Sequence, residues 1–261
     1  MLTVYRDKEA LSRAAATIFA EAARLAARKK GRFNVLLSGG ETPLRCYRLL
    51  GEEPWRGSVP WEAVQLFWGD ERHVPYGDSR SNFGTFQRTV QDRWPVGDRQ
   101  LHPVPFRDSA EASARAYEEE LRGELKAAKP AFDLVFLGLG ADGHTASLFP
   151  GSPAVEESSR LVTALFLPEQ ELFRVTVTLP LLNEAELVVF LVTGGDKAAI
   201  LHRVLAPGDG VPPLPASLVH PRQGAVRWLV DRDAARQLTS PPTAAGTPGG
   251  TGAKGEGSQR P

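Results

Sequence analysis

Sulfur is nearly absent from this chain, which has one cysteine and one methionine in 261 residues. A single Cys46 cannot close an internal disulfide, so a disulfide-stapled scaffold is excluded. An excess of either charge is absent too. Lysines and arginines together number 31, as do aspartates and glutamates, and the formal net charge is zero. Nucleic-acid-binding domains usually carry a basic surplus, so no nucleic-acid partner is expected, although a local basic pocket for a small anion stays open. Met1 to Glu9 contain no apolar signal core, and no apolar run reaches transmembrane length. Metal-ligand spacings and internal repeats are also missing. These absences point to a soluble cytoplasmic protein without a membrane or metal partner; the oligomeric state is not legible.

What is present is a regular alternation of helix and strand patterns. Leu11, Ala15, Ile18, Ala22 and Leu25 recur at helical spacing. That predicts an amphipathic helix over 8–30, with Asp7 as N-cap and Lys29, Lys30 and Gly31 at its end. Buried strands are predicted at Phe33–Leu37, Val64–Trp68, Leu134–Leu137, Leu187–Val192 and Ala225–Val230. Arg174–Leu179 alternates strictly, as a half-exposed strand does. A short helix should follow Asp78–Phe83, a long one should carry Ala114, Tyr117, Leu121 and Leu125, and a closing one should span Asp231–Leu238. Such an order implies an α/β fold with a mainly parallel sheet covered by helices on both faces. One domain is expected over 1–239. The Gly/Pro-rich tail over 240–261 has almost nothing to bury and reads as disordered.

The chemistry gathers where the strands end. Leu134 to Leu137 run straight into Gly138, Gly140 and Gly143, which frame Asp142 and His144. Ligands of open α/β sheets bind beyond the carboxyl ends of the strands, so this carboxylate and imidazole are candidate acid/base groups. The three glycines also fit G-x-G-x-x-G. That dinucleotide fingerprint needs a long helix directly after it, which Pro150, Gly151 and Pro153 interrupt, so NAD is not expected.

A second glycine loop, Ser38-Gly39-Gly40-Glu41-Thr42-Pro43, lies between a predicted strand and helix, with Thr42 as cap and Pro43 in the first turn. Free N–H groups there make it either a phosphate cradle or an ordinary turn. It is neither a P-loop nor a nucleophile elbow. Asp70, Glu71 and Arg72 form a charged cluster at another strand end. Lys197 stands where a helix begins after Thr193-Gly-Gly, a place for a point charge on a phosphate.

Together, Ser38–Pro43, Trp68–Arg72, Asp78–Asn82, Gly138–Gly151, Arg174–Thr178 and Thr193–Lys197 resemble the motifs of the 6-phosphogluconolactonases, in that family's order. The resemblance spans nearly the whole chain except the tail. It implies a three-layer α/β/α fold shared with the glucosamine-6-phosphate deaminases. It also implies hydrolysis of 6-phospho-D-glucono-1,5-lactone to 6-phosphogluconate, the second step of the oxidative pentose phosphate pathway, without metal or organic cofactor. The deaminases are the alternative. They share the glycine loop, the Asp-Glu pair and Asp-Gly-His, but have a glutamate where this chain has Phe149 and usually a tyrosine where it has Arg72.

A lactone is an activated ester, so a nucleophilic water and a stabilised oxyanion suffice. A histidine, with an ordinary pKa of about 6.5, suits the general base, and His144 is the candidate. Asp142 would orient its ring or stabilise its charged form. The glycine N–H groups are candidates for the oxyanion hole. By the resemblance, Ser38, Gly39, Gly40 and Thr42 hold the phosphate, with Lys197, Arg80 and Arg174 as candidate charges. Arg72 serves the oxyanion or the phosphate, and Asp70 binds a hydroxyl or holds its loop.

Overall fold

The computed structural model describes residues 1–125, 130–208 and 210–238. The tail expected over 240–261 lies outside the described residues. In chain order the elements are β1 (Leu2–Tyr5), α1 (Lys8–Lys30), β2 (Phe33–Leu37), α2 (Glu41–Leu50), α3 (Trp55–Ser58), β3 (Val64–Trp68), β4 (Asp70–Arg72), α4 (Asn82–Thr89) and β5 (Leu101–His102). Then come α5 (Ala110–Leu125), β6 (Leu134–Leu137), α6 (Pro153–Glu156), β7 (Val162–Leu167), β8 (Leu172–Val177), α7 (Leu179–Leu182), β9 (Leu187–Val192), α8 (Ala198–Leu205) and β10 (Ala225–Asp231).

Seven strands form one parallel sheet in the order β1-β10-β9-β6-β2-β3-β5. Helices flank it, giving the three-layer arrangement expected. Every residue of β2 and β6 is buried, as an unbroken apolar run requires when a strand is covered on both faces. α1 starts where Asp7 Oδ1 accepts the Ala10 N–H at 2.8 Å and ends at Gly31, whose φ of 69° is left-handed. Its buried stripe is rotated from the one expected. Leu25 is 53% exposed, whereas Phe19 is fully buried and packs edge-on against Phe33 at 5.2 Å between ring centroids. The bulky ring, rather than the small Ala22, decides which face turns inward. Phe136 of β6 lies between Phe19 and Tyr47 at the centre of this core.

Three further expectations are corrected. Arg174–Leu179 is not a half-exposed strand. Arg174 to Val177 are all buried in β8, and the alternating threonines are inward-facing groups with partners. The Thr176 hydroxyl accepts the Ser147 N–H at 3.1 Å, and that of Thr178 donates to the Arg160 carbonyl at 2.7 Å. Asp231–Leu238 forms turns instead of a helix, because β10 runs through Asp231, whose carboxylate binds the N–H groups of Gly194 and Ala234. Thr42 does not cap α2; the helix begins at Glu41, after Gly40 with φ 102°. A side chain at Gly40 would be strained in that conformation.

A second sheet, β4-β8-β7, is antiparallel and had no counterpart in the expected single sheet. It stands beside the parallel sheet where β3 passes through Gly69 into β4, with the Val177 N–H donating to the Gly69 carbonyl at 2.9 Å. In the large sheet, β2 is followed outward by β3 on one side, and β6 by β9 and β10 on the other. The reversal between β2 and β6 opens a crevice at their carboxyl ends, where such sheets bind ligands.

Candidate active site

That crevice is a cavity of about 430 Å³. The loops after β2, β6 and β9 build one side of it, and residues of β4 and β8 build the other. Ser38, Gly39, Gly40, Thr42, Asp70, Arg72, His144, Arg174 and Lys197 all line it. Five separate stretches of sequence are therefore brought to one place by the topology.

His144 is held on three sides. Its Nδ1 lies 2.6 Å from Asp142 Oδ1, the same oxygen that accepts the His144 backbone N–H at 3.0 Å. A carboxylate only accepts, so Nδ1 carries the hydrogen, and in the neutral ring the lone pair is on Nε2. The Phe149 ring rests against the imidazole, 4.2 Å between centroids. Gly140 passes so close that a Cβ there would come within 2.1 Å of Nδ1. Asp142 stands behind the histidine and does not line the cavity. Desolvation raises its carboxyl pKa, but the His144 N–H bond, charge and ring hydrogen bond outweigh this and hold it below the usual value.

Opposite stands a polar wall. Asp70 is buried, with Oδ2 accepting from Ser147 Oγ at 2.6 Å and Oδ1 from Asn82 Nδ2 at 3.2 Å. Glu71 turns away from the cavity. Its two oxygens accept from the N–H groups of Arg72, Asn82 and Phe83 and from Ser81 Oγ, and so secure the start of α4. Arg72 and Arg174 face each other across the β4–β8 ladder. Each has a buried Nε without a partner among the described residues. Burial pushes the Arg174 guanidinium pKa down, partly offset by Asp70, whose Oδ2 is 4.0 Å from Nη1. Two adjacent cations with unused donors suit an anionic ligand.

At the other end, the Thr42 and Thr193 hydroxyls meet at 2.8 Å and tie the loop after β2 to the one after β9. Among the described residues, Lys197 Nζ has only a loose contact with the exposed Asp196 carboxylate, at 3.5 Å. Arg80 does not join this group. It is exposed outside the cavity, its guanidinium taken up by Asp78, at 3.0 Å from Nε and 2.8 Å from Nη2. The pair holds the Asp78 carboxyl at about 2. Among the described residues no cluster of three or more His, Cys, Asp or Glu side chains could hold a metal ion, and no helix is long and apolar enough to cross a membrane.

The family profile described as glucosamine-6-phosphate isomerases/6-phosphogluconolactonase matches residues 6–228. The chain belongs to this family. A 6-phosphogluconolactonase of Synechocystis is 39% identical over 214 residues, 80% of this chain and 86% of that protein. The solved structure of the Trypanosoma cruzi 6-phosphogluconolactonase superposes with a TM-score of 0.82 at 30% identity, covering 92% of this chain and 97% of its own. A monomeric glucosamine-6-phosphate deaminase superposes at 0.77 with 22% identity, over 90% and 99% of the two chains, a likeness of fold alone.

Sequence reasoning gave no role to Asn82, Ser147 or Gln170, which also line the cavity, and used Phe149 only as a departure from the deaminases. Asn82 and Ser147 lie inside motifs already singled out, so proximity in sequence could have found them. Gln170 had no such signal.

Proposed function

We propose that this protein hydrolyses 6-phospho-D-glucono-1,5-lactone to 6-phosphogluconate in the pentose phosphate pathway, with His144 as general base. The observation that carries the reading is the His144 environment: Asp142 on Nδ1 and an apolar ring, Phe149, against the imidazole. A deaminase must open a sugar ring and shuttle protons on an amino sugar, for which the extra carboxylate of that group is suited. Ester hydrolysis needs one base and one oxyanion site.

In this account His144 Nε2 takes a proton from water as its oxygen bonds to C1 of the lactone. Asp142 stabilises the resulting imidazolium and keeps the ring in the required tautomer. The negative charge developing on the carbonyl oxygen is met by glycine N–H groups or by Arg72. The bond from C1 to the ring oxygen then breaks, and the departing oxygen receives the proton from His144. Asp70, with both oxygens already engaged, holds its loop or binds a hydroxyl.

The phosphate is assigned to the Ser38–Thr42 loop, where the first N–H groups of α2 lack intrahelical partners, with Lys197 and Arg174 as charges. Arg80 has no part in this assignment. A cytoplasmic setting belongs to the same proposal, and cell fractionation tests it. The function itself is tested by lactone turnover above an enzyme-free blank, run beside glucosamine 6-phosphate. Lactone hydrolysis without ammonia release is expected; ammonia release without lactone hydrolysis would reverse the reading.

A further inference from the structure

The hairpin joining β7 to β8 sends one residue, Gln170, to the cavity. Pro168 to Gln170 make a single 3₁₀ turn, closed by the Glu171 N–H on the Pro168 carbonyl at 3.2 Å. Glu171 follows at φ 47° and ψ 41°, a left-handed conformation uncommon for a residue with a side chain. Pro168 fixes φ at the start of this turn, and Glu171 reverses the chain at its end. The turn is thus specified from both ends, and it sets the Gln170 amide against Arg174, whose Nη2 donates to Gln170 Oε1.

Arg174 needs a partner that orients it without neutralising it. Its side chain is only 9% exposed, its Nε is unpartnered, its nearest carboxylate is 4.0 Å away, and a second arginine faces it. An amide oxygen accepts one N–H and carries no net charge. A carboxylate in the same place would form a bidentate ion pair and take the guanidinium out of use.

We infer that Gln170 is a positioning residue: its neutral amide aims Arg174 at an anionic oxygen group of the substrate and leaves the arginine's charge for that group. The inference rests on the proposed phosphosugar substrate for its meaning in catalysis. The anionic group is either the phosphate or the lactone carbonyl oxygen, on which negative charge develops in the reaction.

Three proteins test it: the wild type, Gln170→Glu and Gln170→Leu. Gln170 is exposed, so both variants should keep the wild-type melting temperature. Inorganic phosphate, titrated by calorimetry, reads the anion site without any turnover. Gln170→Glu should weaken phosphate binding by roughly tenfold or more, and Gln170→Leu by less, because only the glutamate cancels the charge. Kinetics then separate the two sources. If the group is the phosphate, Gln170→Glu raises KM for the phosphorylated lactone with kcat nearly kept, and spares unphosphorylated glucono-1,5-lactone. If it is the reacting oxygen, kcat falls for both lactones. A Gln170→Glu variant that matches the wild type in phosphate affinity and in KM and kcat for both lactones overturns the inference. A wild type that binds phosphate in this Gln170-dependent way yet turns over no lactone would sink the functional reading and leave the inference standing.

Discussion

The seven-stranded sheet and the three-stranded sheet fill their interiors with different kinds of residue. The first is packed with Phe33, Val35, Leu36, Leu37, Leu134 to Leu137 and Val188 to Val192, all buried. The second buries Val162, Leu165, Leu167, Val175 and Val177, but beside them also Asp70, Glu71, Thr163, Arg174 and Thr176. Apolar burial needs no orientation and tolerates approximate patterning. Buried polar groups need a matched partner each, and most here have one: Glu71 has four donors, Asp70 two, and Thr176 one on each side. The exceptions are the Nε atoms of Arg72 and Arg174, and both arginines line the cavity. The large sheet is therefore a scaffold that places loops, and the small one a polar wall whose two arginines line the cavity.

Substitutions in the two sheets should separate stability from activity. Phe136→Ala in β6 removes a fully buried ring from the centre of the scaffold and should cost about 3–5 kcal/mol, read by denaturant unfolding, with KM unchanged in the surviving folded fraction. Glu71→Gln should also destabilise, by about 1–3 kcal/mol, although it is nearly isosteric. All four partners of Glu71 are donors, and the new NH₂ group would face two of them.

At the cavity the effect should move from stability to turnover. Asp142→Asn should lower kcat by roughly tenfold or more, less than loss of the histidine, with little change in melting temperature. The pH dependence has a definite sign. The folded pKa of Asp142 is held below its reference value of 3.8, so its contribution is complete above that value and is lost as pH falls through the depressed one. An acid limb in the rate above pH of about 4 therefore belongs to another group, and Asp142→Asn should not abolish it. Smallest in turnover should be Lys197→Ala, which is expected to raise KM by roughly tenfold while leaving kcat nearly intact, because the phosphate is remote from the lactone carbonyl. An unchanged KM with kcat alone reduced would remove Lys197 from the phosphate site.

The same contrast explains what could be read from the residues. The scaffold strands Phe33–Leu37, Val64–Trp68, Leu134–Leu137 and Leu187–Val192 appear at their expected bounds, since continuous apolar runs admit few other placements. The small sheet escaped because β4 is only Asp70–Arg72, and β8 carries an alternating pattern whose polar members are buried with partners. Periodicity reports a solvent face only when polar residues face solvent. Of the candidate site residues, Arg80 was legible by motif but is spent on Asp78. Gln170 was invisible because its meeting with Arg174 depends on a hairpin turn that polarity patterns do not specify.

The central claim is that His144, oriented by Asp142, activates water for attack on a lactone. His144→Asn keeps polarity and approximate size but has no ring nitrogen to accept the proton, and it is best measured against pH with the spontaneous hydrolysis subtracted at each point. The account predicts retained KM, kcat lower by roughly 10²-fold or more, and disappearance of the wild-type limb in which rate rises with pH. Near-normal turnover with the same limb would contradict it and move the base to another group in the cavity.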